Sequence, residues 1–252
     1  SRFYRIASAP DEWASRLWAV VRERVLATPI AGQDEARESA VLAGRRSRAR
    51  EFFASVAGEW ESVRADLFGE QLDLRLALSL LDPDTVLGDL GCGTGHLTAM
   101  VAPHVARVVA VDGSAEMLAA ARDRVQGLSN VELHLGDLEQ LPLADGLLDA
   151  ATLSLVLHYV ADPGRAIAEA ARVLRPRGRL VVLDMMPHDR DDLQQRMGHV
   201  WRGFSDGQVR EWFAAAGLEQ SRVMPLPPDQ SARGPGLFAA SARKPDGERP
   251  VS

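Results

Sequence analysis

The chain has 252 residues, 46% of them hydrophobic and 25% charged, which is long enough for one well-buried core and a smaller appendage. Its formal net charge of −6 gives no general attraction to nucleic acid. A single cysteine excludes an internal disulfide, a cysteine zinc site or an iron–sulfur cluster within one chain. Because no apolar run reaches the ~20 residues of a membrane-spanning helix and no signal-peptide pattern is present, we expect a cytoplasmic protein.

Residues 1–31 predict a short edge strand followed by an amphipathic helix. Residues 1–6 alternate polar and apolar side chains, and residues 11–26 place apolar side chains at helical spacing. Trp13 and Trp18 belong to this apolar face, which would leave a large exposed patch on a monomer. We therefore expect a homodimer formed through residues 1–31, the alternative being a helix that packs on its own core.

The strand and helix of residues 1–26 resemble the end of a winged-helix repressor of the arsenic-responsive type. That resemblance implies a helix that pairs with its twin, and a chain that is the C-terminal part of a repressor and enzyme fusion. No recognition helix lies within these residues, so we expect no specific binding of nucleic acid by this chain alone.

Residues 32–82 predict a helical cap. Pro29 and Gly32 indicate a hinge, followed by a helix that ends near Leu42 and by two or three further helices before residue 82.

Residues 86–97 predict a strand, a tight loop and a helix. Glycines at 91, 93 and 95 permit positive φ angles and a close approach of a ligand to the main chain. The following helix directs its first N–H groups at that ligand. Loops that bind a pyrophosphate use G-x-G-x-x-G, whereas here the third glycine comes one residue early and Asp89 precedes the loop. An acid there would repel a pyrophosphate and favour an ammonium group.

Two further acids end predicted strands. Asp112 closes a β-branched run, where a carboxylate can accept both hydroxyls of a ribose. Asp137 follows the next run and could accept a hydrogen bond from the exocyclic amine of adenine. An amine, a ribose diol and an adenine, with no requirement for phosphate, together describe S-adenosylmethionine.

These residues resemble class I S-adenosylmethionine-dependent methyltransferases, in particular the quinone-biosynthesis-like small-molecule branch. The resemblance covers residues 84–184 and rests on four motifs in order. They are DLGCGTG at 89–95, VDGSAEM at 111–117, GD at 136–137, and LD at 148–149 leading into LVLH at 155–158. It implies methyl transfer from S-adenosylmethionine to a small molecule by in-line displacement. The alternative is a module that senses S-adenosylmethionine or S-adenosylhomocysteine for a transcriptional regulator.

By motif position, the resemblance implies a set of cofactor-binding residues. The glycines and Asp89 would line the methionine part, Asp112 would hold the ribose, and Met117 would cover an adenine face. The expected set is Asp89, Gly91, Gly93, Gly95, Asp112, Gly113, Met117, Gly136, Asp137, Leu138 and Ser154. In this family an aromatic residue closes over the cofactor, and Trp60 stands near that position.

Strand and helix patterns alternate over residues 83–244, which predicts an α/β, Rossmann-like, mostly parallel sheet with helices on both faces. The expected strands lie near 86–90, 108–112, 131–135, 149–155, 179–184, 219–224 and 237–243. The resemblance implies seven strands in the order 3-2-1-4-5-7-6, with the last antiparallel. Residues 245–252 are polar and predict a flexible tail.

The acceptor side is expected to follow the fourth and fifth strands. Methyl transfer requires mainly alignment, and a base is needed only if the acceptor starts protonated. The candidate catalytic residues are His158, His188 and His199, which could act as a base, as orienting donors or as metal ligands. We expect no metal. Trp60, Tyr159 and Trp201 are the expected substrate contacts.

Residues 187–204 predict a lid over the acceptor, since they leave the sheet at its carboxyl edge. Gly198 and Gly203 are its expected hinges. The alternative is a surface helix over residues 189–197.

Overall fold

The computed structural model describes residues 11–229 and 231–247 of the chain. The predicted edge strand at 1–6 and the end of the predicted tail lie outside the described residues. Within these ranges, every helix is too short or too polar to span a lipid bilayer. The chain divides into two compact units after Asp73. This boundary precedes the predicted one at residue 82, and Leu78 already packs against a core cluster of the second unit.

The first unit is helical. Its helices are α1 (Glu12–Leu26), α2 (Pro29–Val56) and α3 (Trp60–Phe68), and α4 (Leu72–Leu78) follows across the boundary. Asp11 and Thr28 cap α1 and α2, each side chain accepting a hydrogen bond from a backbone N–H of the first turn. The helix predicted over residues 11–26 is present.

The hinge predicted at Pro29 and Gly32 is wrong, because both residues lie inside α2. Proline occupies the first turn of a helix without cost, since its missing N–H would have no partner there. Gly32 and Gly44 have no neighbouring atom within 4 Å of an added Cβ, so neither marks a close approach. The helix also continues past Leu42, where a break was expected.

The second unit contains one seven-stranded sheet. The strands are β1 (Val86–Leu90), β2 (Arg107–Asp112), β3 (Val131–Leu135), β4 (Leu148–Ser154), β5 (Leu174–Met185), β6 (Glu219–Pro225) and β7 (Leu237–Arg243). Their order is β3-β2-β1-β4-β5-β7-β6, and β7 runs antiparallel to both of its neighbours. The predicted fold class and strand order are confirmed. The largest difference is β5, which begins at Leu174, directly after a helix.

The other elements of this unit are helices that connect the strands. They are α5 (His96–Val101), α6 (Ala115–Arg124), α7 (Pro163–Val173), α8 (Asp191–Met197) and α9 (Asp206–Ala215). The interior of β2 is fully buried, as expected for a continuous apolar run in a parallel strand covered on both faces. The main core cluster joins β4 and β5 to α7 and α9 through residues such as Leu153, Ile167 and Phe213.

This topology determines where a ligand can lie. Strands β2 and β1 lie on one side of a switch point, and β4 and β5 lie on the other. The connections on the two sides turn away from each other, which leaves a crevice at the carboxyl ends of the strands. Asp112 and Ser154 are the last residues of β2 and β4, so both reach this edge.

Candidate active site

A cavity of about 880 Å³ lies at the carboxyl edge of the sheet. It is formed by the loops after β1, β2, β3 and β4, with one contribution from α8. The lining residues are Gly91, Cys92, Gly93, Asp112, Gly113, Ser114, Met117, Leu135, Gly136, Asp137, Leu138, Ser154, Leu155, Val156, Tyr159, Val160 and Met197. Nine of the eleven residues predicted to bind the cofactor are in this set, and Asp89 and Gly95 are not.

The three glycines of the first loop have different tasks. All three have positive φ angles. A Cβ on Gly91 would meet the side chain of Val156 at 2.5 Å, whereas a Cβ on Gly93 would meet nothing within 4 Å and would point into open space. Gly95 caps α5 in the left-handed region, and a Cβ added at this position would contact Ala121 of α6. Gly93 thus leaves room for a ligand, and Gly95 permits helix packing.

Asp112 fastens the glycine loop to the end of β2. Its Oδ2 accepts a hydrogen bond from the backbone N–H of Gly93 at 2.7 Å, and its Oδ1 accepts from the N–H of Ser114 at 2.9 Å. Each carboxylate oxygen has a further lone pair, so both can also accept from a diol. The expected role on a ribose stays a prediction, and the cavity is compatible with it.

Asp89 lies beneath the cavity and does not line it. Its side chain is only 2% exposed, and its two oxygens accept hydrogen bonds from the hydroxyls of Thr98, at 2.5 Å, and Thr152, at 3.3 Å. Burial is the main reason why the pKa of Asp89 is raised, and the hydroxyl hydrogen bonds oppose this effect. The arrangement does not support the direct contact with a ligand amine that we expected. Asp89 instead joins β1 to α5 and β4.

The far end of the cavity suits a flat base. Met117, which is exposed, lines the cavity together with Leu138 and Asp137. Asp137 shapes the turn after β3, because its Oδ1 accepts from the N–H of Glu139 at 2.9 Å. Gly136 is required at this turn, since a Cβ would meet the ring of Pro142 at 2.5 Å.

The only cysteine also lines the cavity, but it is a poor nucleophile. Burial, together with the charges of Asp89 and Asp112, raises the pKa of Cys92 to about 12. The thiolate is therefore almost absent at neutral pH.

The side of the cavity after β4 is mostly apolar. It is formed by Leu155, Val156, Tyr159 and Val160, with Met197 from α8. Leu155 has a φ of 52°, a left-handed conformation that costs a non-glycine residue ~1–2 kcal/mol. This conformation leaves its side chain 44% exposed beside the cavity. Nothing in the sequence signals this conformation, so Leu155 was missed as a lining residue.

Two of the three candidate catalytic histidines, His158 and His199, lie in contact, although 41 positions separate them in sequence (199 − 158). The ring of His158 lies 4.4 Å from that of His199, centroid to centroid, and 4.3 Å from that of Tyr159. A positive charge on His188 would add to the lowering of the pKa of His199 that burial causes. Tyr159 lines the cavity, and the rings of His158 and His199, which do not line it, lie against Tyr159.

Asp184 was missed as a site residue. It is fully buried at the end of β5, and its Oδ1 lies 2.8 Å from Nδ1 of His158. Its carboxylate also accepts from the backbone N–H groups of Leu157 and Met185. The sequence shows only an acid near the end of a strand, and nothing there indicates a histidine 26 residues earlier as its partner.

The segment 187–204 is firmly attached to the sheet at its C-terminal end. The backbone N–H groups of Val200 and Trp201 donate to the carbonyl of His158, and the indole N–H of Trp201 donates to the carbonyl of Val160 at 3.0 Å. Trp201 packs against the main core cluster, outside the cavity lining. Gly203 has a φ of 76° and lies against the backbone of Met186, so its role is close packing and the hinge prediction is wrong there.

Gly198, the other predicted hinge, ends α8 in the left-handed region. Helix α8 over Asp191–Met197 matches the predicted surface helix, and whether the segment opens as a lid stays a prediction. Trp60 belongs to the first unit, where its ring contacts that of Phe53 at 5.2 Å. Its predicted closure over the cofactor also stays a prediction. Among residues 11–229 and 231–247, no three His, Cys, Asp or Glu side chains are grouped so that they could hold a metal ion.

Comparison with known proteins finds similarity to methyltransferases over the central part of the chain. Residues 88–182 match a family model described as a methyltransferase domain. The uncharacterized methyltransferase YcgJ of Bacillus subtilis is 30% identical over 145 residues, which cover 57% of each chain. The ubiquinone/menaquinone biosynthesis C-methyltransferase UbiE of Rubrivivax gelatinosus is 36% identical over 145 residues, 56% of this chain and 57% of its own.

Solved structures share the fold. The YcgJ crystal structure has a TM-score of 0.57 at 23% identity and covers 70% of this chain and 99% of its own. The [4+2]-cyclase SpnF has a TM-score of 0.58 at 26% identity and covers 69% of this chain and 80% of its own. Because one of these proteins is named for a cyclisation, the fold leaves the reaction open.

The matches to YcgJ and UbiE span little more than half the length of each relative. They do not show the repressor fusion that the first 26 residues resemble. The family match, the strand order and the cavity at the switch point all indicate the same kind of domain in the central part of the chain. Residues 88–182 are similar to a methyltransferase domain, and the seven-stranded fold around them is that of the class I, S-adenosylmethionine-dependent methyltransferases.

Proposed function

We propose that this chain transfers a methyl group from S-adenosylmethionine to a small-molecule acceptor by in-line displacement. The observation that carries the proposal is that one continuous cavity of about 880 Å³ is lined both by the glycine loop and Asp112 and by Tyr159 and Met197. A cofactor and an acceptor can therefore share one space.

The residues present fit an adenosyl group. Asp112 offers a free lone pair on each oxygen for the ribose hydroxyls, and Gly93 leaves open space where a Cβ would stand. Met117 and Leu138 provide apolar contacts for the base, and Asp137 can accept from its amine. With Asp89 buried below the loop, the backbone and Ser154 are the polar groups that would meet the methionine part.

Bound S-adenosylmethionine supplies an electrophilic methyl group on a good leaving group. The protein contributes alignment, because its apolar wall of Leu155, Val156 and Val160 limits how an acceptor can approach. The same wall excludes water, which would otherwise compete for hydrogen bonds with the acceptor. Tyr159 contributes a hydroxyl that stays protonated, since burial and the charge of Asp184 raise its pKa.

A small aromatic acceptor agrees with this apolar wall and with the similarity to UbiE, a C-methyltransferase of ubiquinone/menaquinone biosynthesis. Of the three expected substrate contacts, Tyr159 lines the cavity. His158, His188 and His199 are proposed to act on the acceptor from behind Tyr159, as developed below.

Calorimetry and a turnover assay test the proposal. S-adenosylmethionine should bind the purified chain, and incubation with a pool of small phenols, hydroquinones, amines and thiols should release S-adenosylhomocysteine together with a methylated product. Binding without any turnover would contradict the proposal and would favour the sensing module, which none of the comparisons supports. Absence of binding would contradict both.

A further inference from the structure

Asp184 and His158 form a buried pair beside the cavity. Asp184 has no exposed surface and His158 is 3% exposed. The carboxylate accepts from the N–H of Leu157 at 3.0 Å and from the N–H of Met185 at 2.8 Å, in addition to its 2.8 Å contact with Nδ1 of His158. Backbone N–H groups can only donate, so the carboxyl group acts here as an acceptor.

This contact determines the tautomer of His158. A carboxylate beside Nδ1 favours the proton on that nitrogen, which leaves the lone pair on Nε2. An imidazole held in this way by a buried carboxylate is oriented as a general base, and the carboxylate stabilises the imidazolium that forms.

His188 contributes a donor. Its Nδ1 accepts from the backbone N–H of Arg190 at 3.2 Å, so in the neutral ring Nε2 carries the proton. That Nε2 is buried and has no hydrogen-bond partner. It is an N–H donor that lacks an acceptor.

His199 contributes a ring with both nitrogens free. It is 5% exposed, and neither Nδ1 nor Nε2 has a hydrogen-bond partner. Burial is the main cause that lowers its pKa, helped by His158 and His188 and opposed by Asp184. The ring is therefore neutral at neutral pH and offers one donor and one acceptor. Buried polar atoms without partners are rare, and they indicate a group that binds there.

Together, His158, His188 and His199 with Asp184 form what we call the histidine recess. Tyr159 separates this recess from the cavity, with its ring 4.3 Å from that of His158 and 5.1 Å from that of His199. Tyr159 is 40% exposed and belongs to the cavity lining, so its side chain is the one that would have to rotate for an acceptor in the cavity to reach His158.

We propose that the histidine recess receives the hydroxyl group of a weakly acidic acceptor such as a phenol, and that His158 is its general base. The inference rests on the proposed function and names its substrate class. The O–H proton passes to Nε2 of His158, and an electron pair of the oxygen forms the bond to the methyl carbon. The carbon–sulfur bond breaks with its electron pair remaining on sulfur, and the imidazolium later returns its proton to water.

A hydroxyl matches the recess better than an amine or a thiol does. A hydroxyl both donates and accepts, so it can donate to Nε2 of His158 while accepting from the ring N–H of neutral His199, whose ring lies 4.4 Å from that of His158. A neutral amine already has a nucleophilic lone pair and requires no base before it reacts. A thiol is a weak hydrogen-bonding group and ionises close to neutral pH without help.

The test is a series of phenols of graded acidity. The probes are para-cresol, the more acidic para-cyanophenol, and pentafluorophenol, of which the last is ionised at neutral pH, with aniline and thiophenol as the amine and the thiol. His158→Gln should slow transfer to para-cresol by ~10²- to 10⁴-fold, the usual contribution of a general base. It should slow transfer to pentafluorophenol only slightly, because that acceptor has no proton to lose.

Asp184→Asn should show the same dependence on phenol acidity, because an amide nitrogen facing Nδ1 would move the proton of His158 to Nε2. Nitrogen NMR of the imidazoles reports this change of tautomer directly, without turnover. His104→Gln is the matched control, since His104 lies before β2 at the opposite edge of the sheet and should behave as wild type. Cofactor affinity, measured by calorimetry, should be nearly the same in all variants.

An equal loss on every phenol, or no loss on para-cresol, overturns the inference. So does a wild-type enzyme that methylates aniline or thiophenol but no phenol, and in that case the proposed methyl transfer survives. If the wild type binds S-adenosylmethionine and methylates no probe or pool compound at all, the proposed function itself fails.

Discussion

At the scale of single residues, two acids on neighbouring strands of the sheet, Asp89 and Asp112, serve different purposes. Asp112 stands in the cavity and accepts from two backbone N–H groups, whereas Asp89 is covered and accepts from two hydroxyls. The sequence pattern makes them look alike, since each acid lies at the carboxyl end of a predicted strand. Substitutions should separate their roles.

Asp112→Ala should weaken the binding of S-adenosylmethionine by roughly 10²- to 10⁴-fold, since two hydrogen bonds to a charged group are worth ~1.5–3 kcal/mol each. Calorimetry measures the change, and Asp123→Ala on the exposed side of α6 is the control. An affinity equal to that of the wild type would remove Asp112 from the ribose site.

Asp89→Asn should change stability with pH and leave cofactor affinity nearly unchanged. Burial raises the pKa of Asp89, so the folded state binds its proton more tightly than the unfolded state, whose pKa is about 3.9. In the window between these two pKa values, the unfolding free energy of the wild type should fall as pH rises. The asparagine variant has no such proton to lose. Urea unfolding at several pH values checks this, and parallel curves for the two proteins would contradict it.

Gly93→Ala should reduce cofactor affinity more than stability. Gly93 has a φ of 53° and open space before it, so an added methyl group strains the backbone and also enters the cavity. Gly127→Ala is a matched control, because Gly127 has a φ of 89° and open space but lies outside the cavity lining. Both variants should lose a similar ~1–2 kcal/mol of unfolding free energy. If cofactor binding is lost in Gly93→Ala and kept in Gly127→Ala, the ligand occupies the open space before Gly93.

At the scale of elements, the sheet could be predicted and the acceptor side could not. Strands such as β1 and β2 are continuous apolar runs that end in loop residues, so local pattern is sufficient. The histidine recess depends on the contact between β5 and the turn after β4, which brings Asp184 to His158. Tertiary contacts of this kind have no periodicity that a single sequence reveals. The prediction of a hinge at Gly32 failed because local sequence is ambiguous there: a glycine inside a helix is tolerated at a modest cost.

The segment 187–204 offers a further prediction at this scale. Gly203→Ala should strongly destabilise the protein, because a Cβ would overlap the backbone of Met186 and the φ is unfavourable. Gly198→Ala should cost only the ~1–2 kcal/mol of a left-handed residue, since nothing lies within 4 Å of its Cβ. Thermal unfolding of the two variants provides the comparison. Equal losses would show that the Gly203 turn is looser than its contacts indicate.

At the scale of the whole molecule, the two units differ in how they use their apolar residues. The second unit buries them in the sheet and its covering helices, while α1 in the first unit contains no buried residue. Trp13 is 72% exposed and Trp18 is 50% exposed, with Leu17 and Val21 beside them on the helix. Exposed apolar side chains at this density are typical of a surface that binds a partner.

The proposed partner of α1 is the same helix in a second copy of the chain, and light scattering tests it. Trp13→Ser combined with Trp18→Ser should convert a dimer to a monomer, because two large aromatic side chains leave the interface and these residues support no core of their own in α1. Arg16→Ser is the control, since Arg16 pairs with Glu12 on the exposed surface of the same helix, a contact of little energetic value. A wild-type chain that is monomeric at all concentrations would contradict the dimer. A double variant that remains dimeric would place the interface elsewhere.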